Sequence, residues 1–266
     1  MKEVALITLH GMGKKKPHYF SDLEDGLKKS LGNDWMRISF QKVQYASILQ
    51  EPQNKLWRDM VSSSANDLDA TKIRQFFLFG FGDAGSLEYS AHNDKVKYLD
   101  VQKEIQSALR KAYVDLGQDK SKPIVIIAQS LGCQVISNYL WDADHNKYIF
   151  ENTGGVDLDE LDFLKLKSLR NLVTTGCNIP LFISGISDRK CFKKPNSSFK
   201  WDNYYDPDDV LGWPLRQLGP TFKIVSDHNI NAGGLFTSWN PLSHEKYWSD
   251  KDVVRPLANK LMNLLS

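Results

Sequence analysis

Short apolar runs alternate along this chain with longer stretches in which apolar residues recur at helical spacing. The runs are rich in Val, Ile and Leu and are bounded by polar or turn-forming residues, a pattern typical of buried β-strands. The run "PIVIIAQS" at 123–130 is continuous, which is typical of a strand buried on both faces of a parallel sheet. Strands are predicted at 4–9, 35–45, 123–130, 169–175, 199–205 and 221–226.

Two of the longer stretches predict helices, at 94–117 and at 250–265. Gly117 marks the end of the first, and Pro256 must lie near the first turn of the second or bend it. Strands that alternate with helices predict an α/β fold with a mostly parallel, doubly wound sheet of about six strands. The whole chain, 1–266, is interpreted as one such domain.

The segment 46–93 breaks this alternation and is interpreted as an insertion that forms a helical and aromatic cap, or lid. Phenylalanines cluster within it. Such a stripe is more often packing than a ligand surface, and a lid or substrate-wall role is the alternative. The four phenylalanines are Phe76, Phe77, Phe79 and Phe81.

The composition of the chain argues against several classes of protein. The chain has 266 residues, 41% of them hydrophobic, and a net charge of +2, which argues against a nucleic-acid or membrane-surface partner. No signal segment or apolar run long enough for a membrane span is evident, so a cytoplasmic protein without an integral membrane segment is expected. The three cysteines are too far apart for a zinc or disulfide motif: Cys133, Cys177 and Cys191.

The stretch "IVIIAQSLGCQVISNYL" at 124–140 carries the main chemical signal. A strand runs into Ala-Gln-Ser-Leu-Gly and then into a helical pattern, which is a variant of the G-x-S-x-G nucleophile elbow. In such a turn Ser130 adopts a strained conformation, and Ala128 and Gly132 supply the small side chains that the tight turn needs. The N–H of Leu131 and the helix dipole can then stabilise an oxyanion. The alternative is a strand-to-helix turn that contains a serine by chance.

The chain at this point resembles the α/β-hydrolase superfamily, in its lipase and esterase-like branch. The resemblance spans nearly the whole chain and rests on "LHGMG", "AQSLGC", "TTGCNIPLF", "WDNYYDPDDVLGWPL" and "SHEKYW". It implies the α/β-hydrolase fold, a Ser–His–Asp triad in the chain order serine, acid, histidine, and hydrolase activity.

The resemblance implies which residues complete the triad. Asp209 is preferred as the acid because, as in the family, it precedes a hydrophobic pair and a proline, and Asp206 is the second choice. His244 is preferred as the base because it lies before the last helix in a Ser-His-x-x-Tyr-Trp context. His228 follows the predicted last strand too closely and is interpreted as a surface loop residue. Two other aspartates are less favoured as the acid, Asp208 in the same turn and Asp202 inside a predicted strand.

The stretch "LITLHGMGKKKP" at 6–17 could suggest a phosphate-binding loop, but it lacks the spacing of a P-loop and the third glycine of a dinucleotide fingerprint. The family resemblance instead implies that the backbone N–H of Met12 is the second oxyanion donor, beside Leu131. His10 is expected to hold this loop. The lysines 14–16 are interpreted as a solvated loop, with attraction of anionic substrates as the alternative.

The sequence therefore predicts a serine carboxylesterase or lipase-like enzyme that acts through Ser130, Asp209 and His244. Its substrate would be a small-molecule or lipid ester, and neither a cofactor nor a metal is expected. A thioesterase or amidase of the same fold, or a catalytically silent binding module, remains an alternative. Cys133 is interpreted as a packing residue. The sequence leaves the physiological substrate and the oligomeric state open.

Overall fold

The computed structural model describes residues 1–11, 18–62, 71, 74, 75, 78, 79, 82, 96–232, 244 and 246–266. These ranges contain a six-stranded parallel sheet. Its strands are β1 (Val4–Leu9), β2 (Ile38–Val43), β3 (Ile124–Gln129), β4 (Leu169–Thr175), β5 (Lys200–Tyr205) and β6 (Val225–Asn229). The described α-helices are α1 (Ser21–Leu31), α2 (Ala46–Ser62), α3 (Val96–Asp115), α4 (Leu131–His145), α5 (Leu158–Leu164), α6 (Ile179–Ile183) and α7 (Lys251–Leu265).

The strand order is β2-β1-β3-β4-β5-β6, so the direction in which the chain builds the sheet reverses between β1 and β3. Ile7 of β1 pairs with Ile126 of β3, which brings the carboxyl ends of the two strands side by side. Open α/β sheets bind ligands at the carboxyl edge where the order reverses. Gly11 and Ser130 follow these two strands, so the fold places both at that point.

Helices pack on both faces of the sheet, as the doubly wound prediction requires. One core lies under α1 and α7, where Leu23 and Leu27 of α1 and Leu257 and Leu261 of α7 are buried with Val125 of β3. The other core lies under α3, α4, α5 and α6 and contains the alternate residues of the same strands. Because β1 and β3 are covered on both sides, all six residues of each are buried, which explains their continuous apolar sequences.

On the face of the sheet that α7 covers, several residues of β4, β5 and β6 are polar. Strand alternation places Asn171 of β4, Lys200 and Asp202 of β5, and His228 of β6 on this face, because the neighbouring Trp201 and Val225 belong to the opposite core. We call these four residues the polar half-face. Lys200 is exposed and the His228 side chain is 41% exposed, so this part of a parallel sheet carries polar groups where the central strands carry aliphatic ones.

The predicted α/β fold is confirmed, and two of its strands needed correction. The segment predicted as a strand at 35–45 enters the sheet only at Ile38, because the preceding residues form the 3-10 helix Gly32–Arg37. The strand predicted at 221–226 was mostly wrong. Residues Pro220–Ile224 form a 3-10 helix started by a proline, and β6 begins at Val225.

The two predicted helices are confirmed with small changes at their ends. The first, α3, is followed by Gly117 and Gln118, both at positive φ, whose N–H groups return to the carbonyls of Val114 and Tyr113. In α7 the Asp250 carboxylate accepts the N–H of Asp252, and Pro256 lies in the second turn.

The predicted cap, 46–93, is described in part. It contains α2 and the buried Phe79, whereas Phe76, Phe77 and Phe81 lie outside the described residues, so its role as a cap or lid stays a prediction. No helix in the described ranges combines the length and the apolar character that crossing a membrane would need.

Candidate active site

Ser130 lies in the turn between β3 and α4. Its φ of 53° and ψ of −122° fall in a region that favours glycine, so the backbone of this serine is strained. The turn is held from both sides, since the Ser130 N–H donates to the Thr175 carbonyl at 3.0 Å and the Ser130 carbonyl accepts the N–H of Cys133 at 2.9 Å. This is the geometry expected of a nucleophile elbow.

Two glycines allow other backbone segments to approach this turn. A Cβ on Gly132 would lie 2.7 Å from the carbonyl oxygen of Leu9 and 2.6 Å from that of His10, which are backbone atoms at the end of β1. A Cβ on Gly11 would lie 2.8 Å from Ser130 Cβ and 3.4 Å from Ser130 Oγ. Both positions therefore need glycine, and the loop after β1 contacts the serine directly.

Asp209 and His244 form a buried pair. Asp209 Oδ2 accepts a hydrogen bond from His244 Nδ1 at 2.8 Å, and the two side chains are 3% and 8% exposed. Because a carboxylate only accepts, Nδ1 carries the proton and Nε2 of the neutral ring has its lone pair available. An imidazole in this tautomer is ready to accept a proton at Nε2.

Tyr247 is a partner of Asp209 to which the sequence analysis gave no role. Its hydroxyl donates to Asp209 Oδ2 at 2.9 Å and accepts the N–H of Asp206 at 2.9 Å. Burial by itself raises the pKa of Asp209, but the His244 ring, the Leu211 N–H and the Tyr247 hydroxyl together hold that pKa below its usual value. The sequence held a signal for this contact in "SHEKYW", where Tyr247 follows His244 by only three residues, and the two rings lie 6.3 Å apart.

The other two aspartates of this turn lie elsewhere. Asp206 is buried, and its carboxylate accepts the N–H groups of Asp208 at 2.9 Å and Ala232 at 2.7 Å, which connects the turn after β5 to the segment after β6. Asp208 is exposed. Of the three aspartates, the structure therefore brings only Asp209 to His244.

Two contacts place His244 beside the serine turn. The side-chain amide of Gln129, the residue before Ser130, donates to the carbonyl oxygen of His244. Gly176 follows Thr175, which accepts the Ser130 N–H, and a Cβ on Gly176 would lie 3.0 Å from His244 Cε1 and 3.1 Å from Asp209 Oδ2. The sequence analysis assigned no role to Gln129 or Gly176, because their importance arises from chain segments far apart in sequence.

Ser130 Oγ and His244 Nε2 are both buried, and neither has a hydrogen-bond partner among the residues that the structure describes. The bond between serine and histidine is therefore not formed in this structure. Catalytic hydrogen bonds often tighten only when substrate binds. Two unsatisfied buried polar atoms cost free energy, which a hydrogen bond to each of them would recover.

His10 is held in one orientation. Its Nδ1 donates to the carbonyl oxygen of Gly11 at 2.8 Å, its Nε2 accepts the N–H of Tyr45 at 3.4 Å, and its carbonyl accepts the Tyr45 hydroxyl. The ring also stacks on Tyr45. Both nitrogens are thus engaged, which fits the expectation that His10 holds the loop after β1 and is not the base.

Leu131 is the first residue of α4, and the first four N–H groups of a helix have no partner within it. Its N–H is therefore at the right place in the chain to face the serine. Met12 and the lysines 14–16 lie outside the described residues, so the second oxyanion donor stays a prediction.

His228 and Cys133 have other roles. The prediction that His228 is a surface loop residue was wrong, because it belongs to β6, where Nε2 contacts Asp202 Oδ1 at 2.7 Å and the ring stacks on Tyr204. Cys133 is fully buried beside Cys177, and burial raises the pKa of its thiol, which suits the packing role predicted for it. In the described ranges no cluster of three or more His, Cys, Asp or Glu side chains could hold a metal ion.

Comparisons with known proteins give a distant structural likeness. No protein-family model matches the chain, and no curated protein matches it in sequence. An acetylxylan esterase structure at 0.90 Å resolution aligns with 100% of this chain and 99% of its own, at 11% identity and a TM-score of 0.41. An iodinated complex of acetyl xylan esterase at 1.80 Å aligns at 12% identity with a TM-score of 0.37, covering 100% of this chain and 97% of its own. Likeness at this level says nothing about the reaction.

Proposed function

We propose that this chain is a serine hydrolase that cleaves carboxylic esters through an acyl-enzyme, with Ser130 as nucleophile, His244 as base and Asp209 as the acid. The observation that carries the proposal is the arrangement at the carboxyl edge of the sheet. A strained serine at a helix N-terminus lies beside a buried histidine whose Nδ1 is bound to a carboxylate and whose Nε2 has no partner within the described part of the chain.

In the first half of the reaction, Ser130 Oγ attacks the carbonyl carbon of the ester while its proton moves to His244 Nε2. The imidazolium is stabilised by Asp209, which stays ionised because its pKa is held low. The tetrahedral oxyanion would be held by the N–H of Leu131 and, as the family resemblance implies, that of Met12. The proton on Nε2 then passes to the departing alcohol, and the acyl group remains on Ser130.

In the second half, a water molecule gives a proton to His244 Nε2 and its oxygen attacks the acyl carbon. Collapse of this second tetrahedral species releases the carboxylic acid and returns the proton to Ser130 Oγ. Every proton is carried by His244, and no redox change occurs. A small-molecule or lipid ester therefore suffices as substrate, with water as the only co-reactant.

The proposal is tested by labelling with a fluorophosphonate, which reacts only with an activated serine. Wild-type protein should label, and Ser130→Ala should not. A useful control is Ser168→Ala, because Ser168 is also buried, its hydroxyl has no partner among the described residues, and it precedes β4 at the opposite edge of the sheet. Folded wild-type protein that fails to label would overturn the proposal and favour the catalytically silent binding module.

A panel of acyl donors distinguishes esterase activity from thioesterase and amidase activity. Matched oxygen esters, thioesters and amides with the same acyl group should rank with the oxygen ester highest in kcat/KM. If the thioester or the amide is cleaved fastest, the enzyme is the thioesterase or amidase of the same fold.

A further inference from the structure

A cleft of about 700 Å³ lies at the amino edge of the sheet, opposite the serine. Its walls come from the starts of β3, β4 and β5 and from the last turns of α7. Thr175 lies four positions after Asn171 in β4, so about 13 Å of strand lies between the cleft and the serine turn. The lining residues are Pro123, Arg170, Asn171, Ser198, Lys200, Lys260, Asn263 and Leu264.

Three cations converge on this cleft. Lys260 Nζ pairs with Asp202 Oδ2 at 2.9 Å, and that carboxylate also contacts His228. The side chains of Arg170 and Lys200 form no ion pair or hydrogen bond with any residue in the described part of the chain. The lining residues therefore carry three positive charges, one of which, on Lys260, is paired with Asp202. Like charges gathered in a concave wall attract and concentrate anions.

An amide in the cleft wall gives further support. Asn171 is 7% exposed and lines the cleft, yet its side-chain amide has no hydrogen-bond partner among the described residues. The polar atoms of this amide remain accessible from the cleft, so a ligand that enters the cleft can bind them directly. The amide can donate to an anionic oxygen between the ammonium of Lys200 and the guanidinium of Arg170, whose fork of donors suits planar and tetrahedral oxyanions.

We propose that this cleft binds a small polyanion, a molecule with two or more phosphate or carboxylate groups. A cleft of this volume is in the range of small-molecule sites and is larger than a single phosphate needs. Its position at the opposite edge of the sheet makes it a second site, separate from the proposed ester chemistry.

The test is titration calorimetry at constant ionic strength with pyrophosphate and, separately, with citrate. At least one of them should bind saturably at one site per chain, and the better binder distinguishes phosphate from carboxylate ligands. The same affinity is expected for Ser130→Ala, so the result does not depend on the proposed esterase. Lack of saturable binding by both anions would overturn the proposal.

Charge-removing variants test whether binding depends on the cations of the cleft. Arg170→Gln with Lys200→Gln should weaken binding by about 100-fold, roughly tenfold for each cationic group that is replaced. Lys251→Gln is the matched control, because Lys251 is an exposed lysine at the other end of α7, and it should change affinity less than about twofold. Equal weakening by both would show non-specific attraction to positive charge and overturn the proposal.

A variant that is expected to strengthen binding distinguishes a change in affinity from a loss of folding, because misfolding could only weaken binding. Asp202→Asn removes the negative charge beside Lys260, so it should strengthen binding about three- to tenfold. Weaker binding by a folded Asp202→Asn variant would contradict the proposed role of Lys260. Folding of each variant is checked by its circular dichroism and its unfolding midpoint.

Discussion

The molecule contains two Asp–His pairs of nearly equal length in neighbouring parts of the sheet. Asp209 and His244 are 2.8 Å apart at the carboxyl edge, and Asp202 and His228 are 2.7 Å apart on the polar half-face. Each pair has a tyrosine beside it, Tyr247 for the first and Tyr204 for the second. By distance alone the two pairs cannot be distinguished.

Surroundings distinguish them. The first pair is buried, its histidine uses Nδ1 to contact the carboxylate, and its Nε2 has no partner among the described residues. The carbonyl of this histidine accepts the side-chain amide of Gln129, the residue before Ser130. The second histidine uses Nε2 instead and is 41% exposed, and its carboxylate also contacts Lys260. Attraction between charges is weakened by water and by a competing cation. The comparison teaches that an Asp–His pair becomes a candidate base through burial, tautomer and a neighbouring nucleophile.

The largest expected difference follows from replacing the two histidines. His244→Gln should lower kcat on an ester by about 10⁴-fold or more, because it removes the proposed proton acceptor of the serine. His228→Gln should leave kcat within about twofold. Steady-state kinetics on both variants measure this difference. A large kcat loss in His228→Gln with intact folding would reverse the assignment of the base.

The next comparison is between the two buried aspartates of the turn after β5. Asp209→Asn should reduce kcat by about 10³- to 10⁴-fold, because the amide no longer favours the required tautomer or stabilises the imidazolium. Asp206→Asn weakens one hydrogen bond to the N–H of Asp208 or Ala232, so it should cost about 1–2 kcal/mol of stability and less than about tenfold in kcat. The reverse ranking in kcat would make Asp206 the acid.

Gly176 tests how tightly the first pair is confined. Gly176→Ala places a Cβ at a φ of 51° and about 3 Å from Tyr247, His244 and Asp209, so it should cost about 1–3 kcal/mol of stability and about 10- to 100-fold in kcat. Gly154→Ala is the matched control, since a Cβ there meets nothing within 4 Å among the described residues. Urea unfolding and kinetics on both proteins provide the measurement. Equal kcat in the two variants would contradict close packing at the pair.

Replacing the two tyrosines should produce a smaller difference in kcat. Tyr247→Phe removes a hydrogen bond that holds the pKa of Asp209 low, so we expect kcat to fall about tenfold. The folded-state pKa of Asp209 lies below its unfolded value, so its stabilisation is present above the unfolded pKa and is lost as pH falls through the folded one. Tyr247→Phe should raise the folded-state pKa of Asp209 and therefore move the midpoint of acid unfolding to higher pH.

Tyr204→Phe is the control for Tyr247→Phe. It should change neither kcat nor the acid unfolding midpoint, because the Tyr204 ring stacks on His228 and is separate from Asp209. The comparison between the tyrosines fails if both variants shift the acid midpoint by the same amount.

The smallest expected effect concerns a buried carboxylate without a paired histidine. Burial raises the pKa of Asp142 to about 6, although the Tyr98 hydroxyl donates to it at 2.5 Å. Its folded pKa lies above its unfolded one, so ionisation of Asp142 destabilises the fold as pH rises from about 4 to about 6. Asp142→Asn should therefore gain about 1 kcal/mol relative to wild type at about pH 8 and less at about pH 5, by urea unfolding. A gain that is independent of pH would contradict this sign.

Much of the fold could be predicted because its signals are local. The apolar run of β3 followed by Ala-Gln-Ser-Leu-Gly predicted both the strand and the serine turn, since burial on two faces and a tight turn each leave a mark in neighbouring residues. The prediction of a strand at 221–226 was mostly wrong because it too relied on local signals. Its apolar residues suit a strand, but Pro220 starts a 3-10 helix whose Phe222 fills the core.

Local patterns in the sequence were enough to predict the alternation of strands and helices, the serine at a strand-to-helix turn and the short set of aspartates and histidines that could accompany it. Other features became visible only once the chain was folded: Asp209 contacts His244, Asp206 binds backbone amides, His228 belongs to β6, and Gln129, Gly176 and Tyr247 surround the pair. The tertiary structure also decided that Arg170, Asn171 and Lys200 share a cleft. The physical reason is that hydrophobic periodicity is recorded in adjacent residues, whereas a hydrogen bond between residues 35 positions apart depends on how the strands are ordered in the sheet.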